Sequence, residues 1–108
     1  MKATYWQKGE VLDFTPTEDV KNGQVVPIVS RVGIAGSDIA AGEQGHLHVV
    51  GVFELDKATG ETIPMGTAVY YDATADAITA TQGSNTPAGY AAADAAQASA
   101  TVLVKLLG

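Results

Sequence analysis

The chain contains no cysteine. That removes a disulfide framework, a thiolate metal site and a thiol nucleophile, and leaves stability to packing, strand pairing or association with other subunits. Basic residues are also scarce: Lys2, Lys8, Lys21, Arg31, Lys57 and Lys105 stand against twelve acidic residues, for a net charge of -6. Scattered in this way they form no patch that could displace counterions from phosphates, and no nucleic-acid partner is expected. Long apolar runs are missing too. The opening MKATYWQKGE has no stretch of signal-peptide length, and nothing later approaches the roughly 18 apolar residues of a membrane span. A soluble, non-exported chain with no membrane partner is expected. No glycine precedes Lys-Ser or Lys-Thr, which excludes a phosphate-binding P-loop, and no Gly-x-Ser-x-Gly elbow occurs. Ser30, Ser37, Ser84 and Ser99 have no histidine nearby in sequence.

What is present is alanine, valine and regular punctuation. The 108 residues fit a single domain able to bury roughly 65% of its unfolded surface. Twelve glycines cut the chain into segments of strand length. Strands are expected over residues 3–7, 9–14, 24–29, 31–36, 45–55, 66–72, 76–81, 87–92 and 101–107. In GHLHVVGVFEL, alternation puts Leu47, Val49, Phe53 and Leu55 on one face and His46, His48 and Glu54 on the other, a long half-buried strand bent at Gly51. Pro27 confines its strand to an edge or a bulge. Asp72 to Asp76 supply the turn of a hairpin, and AAADAAQAS is too short and too evenly apolar for more than one helical turn or a loop.

Two stretches echo each other. Val32-Gly33-Ile34-Ala35-Gly36-Ser37-Asp38-Ile39-Ala40 shares Gly-x-Ala-x-x-Asp-x-Ala with Ala88-Gly89-Tyr90-Ala91-Ala92-Ala93-Asp94-Ala95-Ala96, and upstream Gly23-Gln24-Val25-Val26 matches Gly66-Thr67-Ala68-Val69. Either this is chance in an Ala/Gly-rich chain, or a strand-turn-strand unit is duplicated, which favours a compact barrel or pseudo-twofold β fold.

Three constellations could carry chemistry. His46 and His48, two apart on a strand, project from one face with metal-ligand spacing, yet two ligands are not a site, and such pairs are more often solvated or at an interface. A small metal-dependent enzyme built on them is the weaker reading. Asp72 and Asp76 could act as an acid/base pair, but aspartates in DATAD serve a turn without catalysis. Tyr70, Tyr71 and Tyr90 could form the aromatic platform of a carbohydrate-binding or adaptor β module. The connector from Asp38 to Gly45 reads as a turn with a positive φ at Gly42 or Gly45. No catalytic residue, metal or cofactor is expected.

Tyr5 and Trp6 lie where a chain should fray. Such aromatics either plug the domain's own core or wait for another protein, and the alternating ATYWQKGEVLDF could pair as an added strand on a partner. From here the chain resembles the small tailed-phage capsid cement or decoration proteins, related in outline to the lambda head decoration protein. The resemblance is carried by Ala3-Thr4-Tyr5-Trp6, Gly9-Glu10, Gly23-Gln24-Val25-Val26, Val32-Gly33-Ile34-Ala35 and Gly42-Glu43. It is most specific in Gly51-Val52-Phe53-Glu54-Leu55-Asp56-Lys57 and Gly66-Thr67-Ala68-Val69-Tyr70-Tyr71-Asp72, and continues through Gly89-Tyr90-Ala91 to Val102-Leu103-Val104-Lys105-Leu106. His46, His48 and the alanine-rich 91–98 depart from the pattern. Proteins of this kind have also been labelled RecA-like recombinases, a label the missing P-loop and acidic charge oppose.

The resemblance implies an all-β, compact barrel-like or β-clip-like domain of short strands with an extended N-terminal arm: residues 1–15 as arm and first strand, 16–108 as the β domain. It implies a structural virion protein, made in the host cytoplasm and placed on the outside of the phage head. There it would assemble as a homotrimer and cement major capsid protein subunits. Thr4, Tyr5, Trp6 and Gln7 are the expected capsid-binding residues of the arm.

Overall fold

The all-β expectation holds. In the computed structural model, which describes residues 1–107, the chain forms nine strands: β1 (Val11–Phe14), β2 (Val25–Ile28), β3 (Arg31–Ala35), β4 (Gly45–His48), β5 (Val52–Asp56), β6 (Ala68–Asp72), β7 (Ala77–Thr79), β8 (Thr86–Ala91) and β9 (Thr101–Leu106). They make two antiparallel sheets, ordered β1-β4-β3-β2 and β5-β9-β8-β6-β7. No helix occurs among the described residues, and AAADAAQAS is a loop. Among the described residues no helix is long and apolar enough to cross a membrane.

Two strand expectations need correction. Residues 3–7 are not a strand: the chain up to Gly9 pairs with nothing and is exposed almost throughout. The long strand over 45–55 is two strands in different sheets. Gly51 takes φ 122°, a value side chains other than hydrogen resist, and the chain turns there from the first sheet into the second. Alternation therefore fails across it. Leu47 and Val49 fill one core cluster, whereas Phe53 and Leu55 pack against the other.

The echo is a duplication. Val11, Leu12 and Phe14 of β1 lie opposite His48, Leu47 and Gly45 of β4, as Val52, Phe53 and Leu55 of β5 lie opposite Lys105, Val104 and Val102 of β9. Ile34 and Ala35 of β3 meet His48 and Leu47, as Tyr90 and Ala91 of β8 meet Lys105 and Val104. Val25 and Val26 of β2 meet Ile34 and Gly33, as Ala68 and Val69 of β6 meet Tyr90 and Gly89. Loops obey the same plan. The Gly23 amide donates to the Ala35 carbonyl at 2.8 Å and that of Gly66 to Ala91 at 2.8 Å. Asp38 accepts from the Asn22 amide at 2.8 Å, and Asp94 from that of Met65 at 2.7 Å. The isolated bridges Val20 to Ile39 and Ile63 to Ala95 correspond as well. The second copy is longer by the hairpin that adds β7.

Each copy buries apolar side chains beneath its loops, but the two cores are unequal. Val20, Val26, Ala35, Ile39, Leu47 and Val49 form the smaller cluster within the first copy. The larger gathers Ile63, Val69, Ile78, Val102, Val104 and Leu106 of the second copy, together with Val32 and Ile34 of the first. The first sheet thus supplies residues to both clusters and welds the copies together. The second sheet curls, because Lys57 bridges to Ile78 and the Ala58 amide donates to the Ile78 carbonyl at 2.8 Å, bringing β7 beside the end of β5. The result is barrel-like without being closed.

Candidate functional site

The arm comes first. Tyr5 is 80% and Trp6 87% exposed, and among the described residues neither belongs to a core cluster. Of the two roles open to them, plugging their own core is the one this structure does not use. Thr4 and Gln7 are exposed beside them. Large aromatics held in water lose the roughly 2–3 kcal/mol that burial of such a side chain returns.

The other constellations dissolve into structural roles. His46 and His48 do share a strand face, but His46 Nε2 sits 3.4 Å from an Asp13 carboxylate oxygen on the neighbouring strand, while the His48 ring tilts against Phe53 at 6.3 Å between the two copies. Among the described residues no group of three His, Asp or Glu side chains could hold a metal ion. Asp72 accepts from the amides of Thr74 and Ala75 at 3.0 and 3.2 Å, an Asx turn that shapes the β6–β7 hairpin. Asp76, at φ 52°, accepts from the Tyr71 hydroxyl at 2.6 Å. Burial, this hydrogen bond and the negative charge of Asp76 and Asp72 push the Tyr71 hydroxyl up to about 12. The three-tyrosine platform does not assemble: Tyr70 and Tyr71 are successive on a strand and face opposite ways, and Tyr71 is buried in the larger core.

Two arrangements are not foretold by periodicity or turn chemistry, although their residues stand in the motifs quoted above. Lys57 is buried, and its ammonium donates to the carbonyls of Ala58, Glu61 and Gln97 at 2.9, 2.6 and 3.3 Å. It ties the loop after β5 to the loop before β9. The second is a patch on the outer face of the second sheet. Tyr90, Lys105 and Val52 are in register across β8, β9 and β5, with Leu103 two residues along β9. Val52 and Leu103 are exposed, and the Lys105 ammonium stands 5.9 Å over the Tyr90 ring. Two open clefts lie between the copies, one of about 240 Å³ lined by Gln24, Glu54, Asp56, Tyr71 and Asp76 among others and one of about 340 Å³ beside His48 and Phe53.

Fold and surfaces together define a duplicated all-β module whose conspicuous features are an unpacked aromatic arm and open sheet faces, the equipment of a protein that works by contact. A family model described as phage cement protein matches residues 6–106. The chain belongs to that family, and its role is that of a structural capsid protein. No curated protein and no solved structure matches it. The two most specific motifs now have physical meaning. In Gly51–Lys57 the glycine switches sheets, Phe53 and Leu55 pack, and Lys57 locks two loops. In Gly66–Asp72 the glycine turns at φ 90°, Val69 and Tyr71 fill the core, and Asp72 builds the hairpin.

Proposed function

We propose that this protein binds the outside of the expanded phage head and cements neighbouring major capsid protein subunits, without catalysis. The observation that carries this reading is the arm: Thr4, Tyr5, Trp6 and Gln7 are presented to solvent by a folded domain that does not use them. Tyrosine and tryptophan are the residues that anchor interfaces when a partner desolvates them. An extended segment of this kind can dock by adding a strand to a partner's sheet edge.

The protein acts as a homotrimer. In the first copy, the strand face bearing Ile34 and Val25 packs against the larger core. The equivalent face in the second copy bears Tyr90 and Ala68, flanked by Val52 and Leu103, and is exposed. A second molecule of the same chain covering it would repeat outside the chain a contact already made inside it, and a closed ring of such contacts leaves no face open. Several arms on one trimer then engage several capsid subunits at once, and avidity multiplies modest single contacts.

Co-sedimentation with expanded heads of the parent phage, stripped of this protein, tests the reading. The full chain is expected to bind in fixed ratio to the major capsid protein and a chain lacking residues 1–8 to stay in the supernatant. Equal binding of both would remove the arm from the docking surface. Binding by neither would sink the cement reading.

A further inference from the structure

β2 and β3 are joined by Val29 and Ser30, closed by the pair Ile28 and Arg31. Val29 has φ 61°, and Ser30 is not among the residues of positive φ. That is the signature of a type II′ turn, whose first central position belongs to glycine. Valine is among the residues least suited to it, because a β-branched side chain crowds the backbone there. Val29 is also 99% exposed, so its side chain regains nothing by packing in its own chain. Backbone strain retained without an internal return is a mark of a contact made elsewhere.

The strand register says where this turn points. His48 is opposite both Val11 and Ile34, and Leu47 opposite both Leu12 and Ala35. Moving from Leu12 to Val11 along β1 therefore runs the same way as moving from Ala35 back toward Arg31 along β3. The Val49 amide donating to the Glu10 carbonyl at 3.1 Å extends that register by a further residue. The root of the arm and the Val29 turn lie at the same end of the first sheet, where Val50 is exposed as well.

We propose that Val29 is a second docking point, an apolar knob that seats in a socket of the major capsid protein beside the site taken by the arm. This rests on the capsid-binding reading of the arm. The capsid protein is the occupant, rather than a second copy, because the turn shares its end of the molecule with the arm's root. The face suited to copy–copy contact belongs to β5, β8 and β9 of the other sheet. Two footholds at one end fix the orientation as well as the attachment of each subunit.

The test pairs stability with binding in the full-length chain. Val29→Gly supplies the residue the turn prefers, so its melting temperature is expected to rise by about 4 °C or more, while its affinity for stripped expanded heads falls roughly ten-fold. A chain that gains stability as it loses function separates a docking knob from a merely structural residue. Val29→Gly binding as tightly as the unaltered chain would overturn the proposal and leave the cement reading intact. An unaltered chain that does not bind would overturn both. A fall in melting temperature would remove the strain on which the inference stands. Loss of binding accompanied by dissociation of the oligomer, seen by light scattering, would move Val29 to a contact between copies and overturn the assignment to the capsid protein.

Discussion

The Tyr71 hydroxyl donates to the Asp76 carboxylate at 2.6 Å, which places a buried phenol on the hairpin that lengthens the second copy. Burial, the hydrogen bond and the nearby carboxylates raise its pKa from 10.0 to about 12. A group whose folded pKa exceeds its unfolded value gives stability that is complete below the unfolded pKa and is lost as pH climbs through the folded one. Tyr71 should therefore leave stability untouched up to about pH 10 and withdraw its contribution between about 10 and 12. Absorbance titration should show a tyrosinate step near pH 12 that Tyr71→Phe lacks. If Tyr71→Phe retains the step, the assignment fails.

Lys57 is a buried cation whose described partners are three backbone carbonyls. Lys57→Met keeps the apolar stem and deletes the donor, so these partly buried carbonyls lose their partner. The expected cost is about 3 kcal/mol in denaturant unfolding. Lys2→Met, on the exposed arm, should change nothing. Equal stability of the two variants would show that water reaches the carbonyls.

Glycines of the duplicated strands differ in what a methyl group would strike. At Gly89 an added Cβ would lie 1.9 Å from the Lys105 carbonyl oxygen, which belongs to the paired strand and cannot yield. At the equivalent Gly33 it would meet Leu47 Cβ at 2.9 Å and Cδ1 at 3.1 Å, a lesser overlap that a small shift between the strands relieves. Gly89→Ala should therefore cost more than about 4 kcal/mol or prevent folding, and Gly33→Ala about 1–3 kcal/mol. Urea unfolding of both variants decides it, and a milder effect at Gly89 would contradict the strand pairing described.

Much of this fold is legible in the sequence because glycine and valine act locally. The hairpin at Asp72, the closing strand and the duplicated Gly-x-Ala-x-x-Asp-x-Ala unit follow from turn chemistry and alternation, and Asp38 and Asp94 prove to do the same job in both copies. In residues 45–55 the bend at Gly51 is legible, but not that the chain leaves one sheet for the other there. The apolar alternation runs on through Gly51, and only the competition between two sheets decides that the bend becomes a change of sheet. Lys57 could not be found either, since three carbonyl partners come from loops far apart in sequence. The arm was half legible: Tyr5 and Trp6 announced that they had to be buried somewhere, while the choice against their own core depends on packing that the first copy completes without them. Val29 gave no signal, because φ at a turn is set by the register of the strands it joins.

The open face of the second sheet offers the sharpest check on assembly. Leu103 stands on β9 opposite Glu54 and two residues from Lys105, 40% exposed in the single chain. Its neighbours inward along the strand, Val102 and Val104, point into the core. Leu103→Glu therefore touches no core contact, and it sets a second carboxylate beside that of Glu54 on the outer face. Like charges directly across a strand pair cost about 0.2–1 kcal/mol, a small penalty to the monomer. Burying the same carboxylate between copies costs several times more. If copies meet on this face as proposed, the variant should melt within a few degrees of the unaltered chain when dilute, yet run at monomer mass in light scattering at concentrations where the unaltered chain self-associates. An oligomer that survives Leu103→Glu would show that copies meet on another surface.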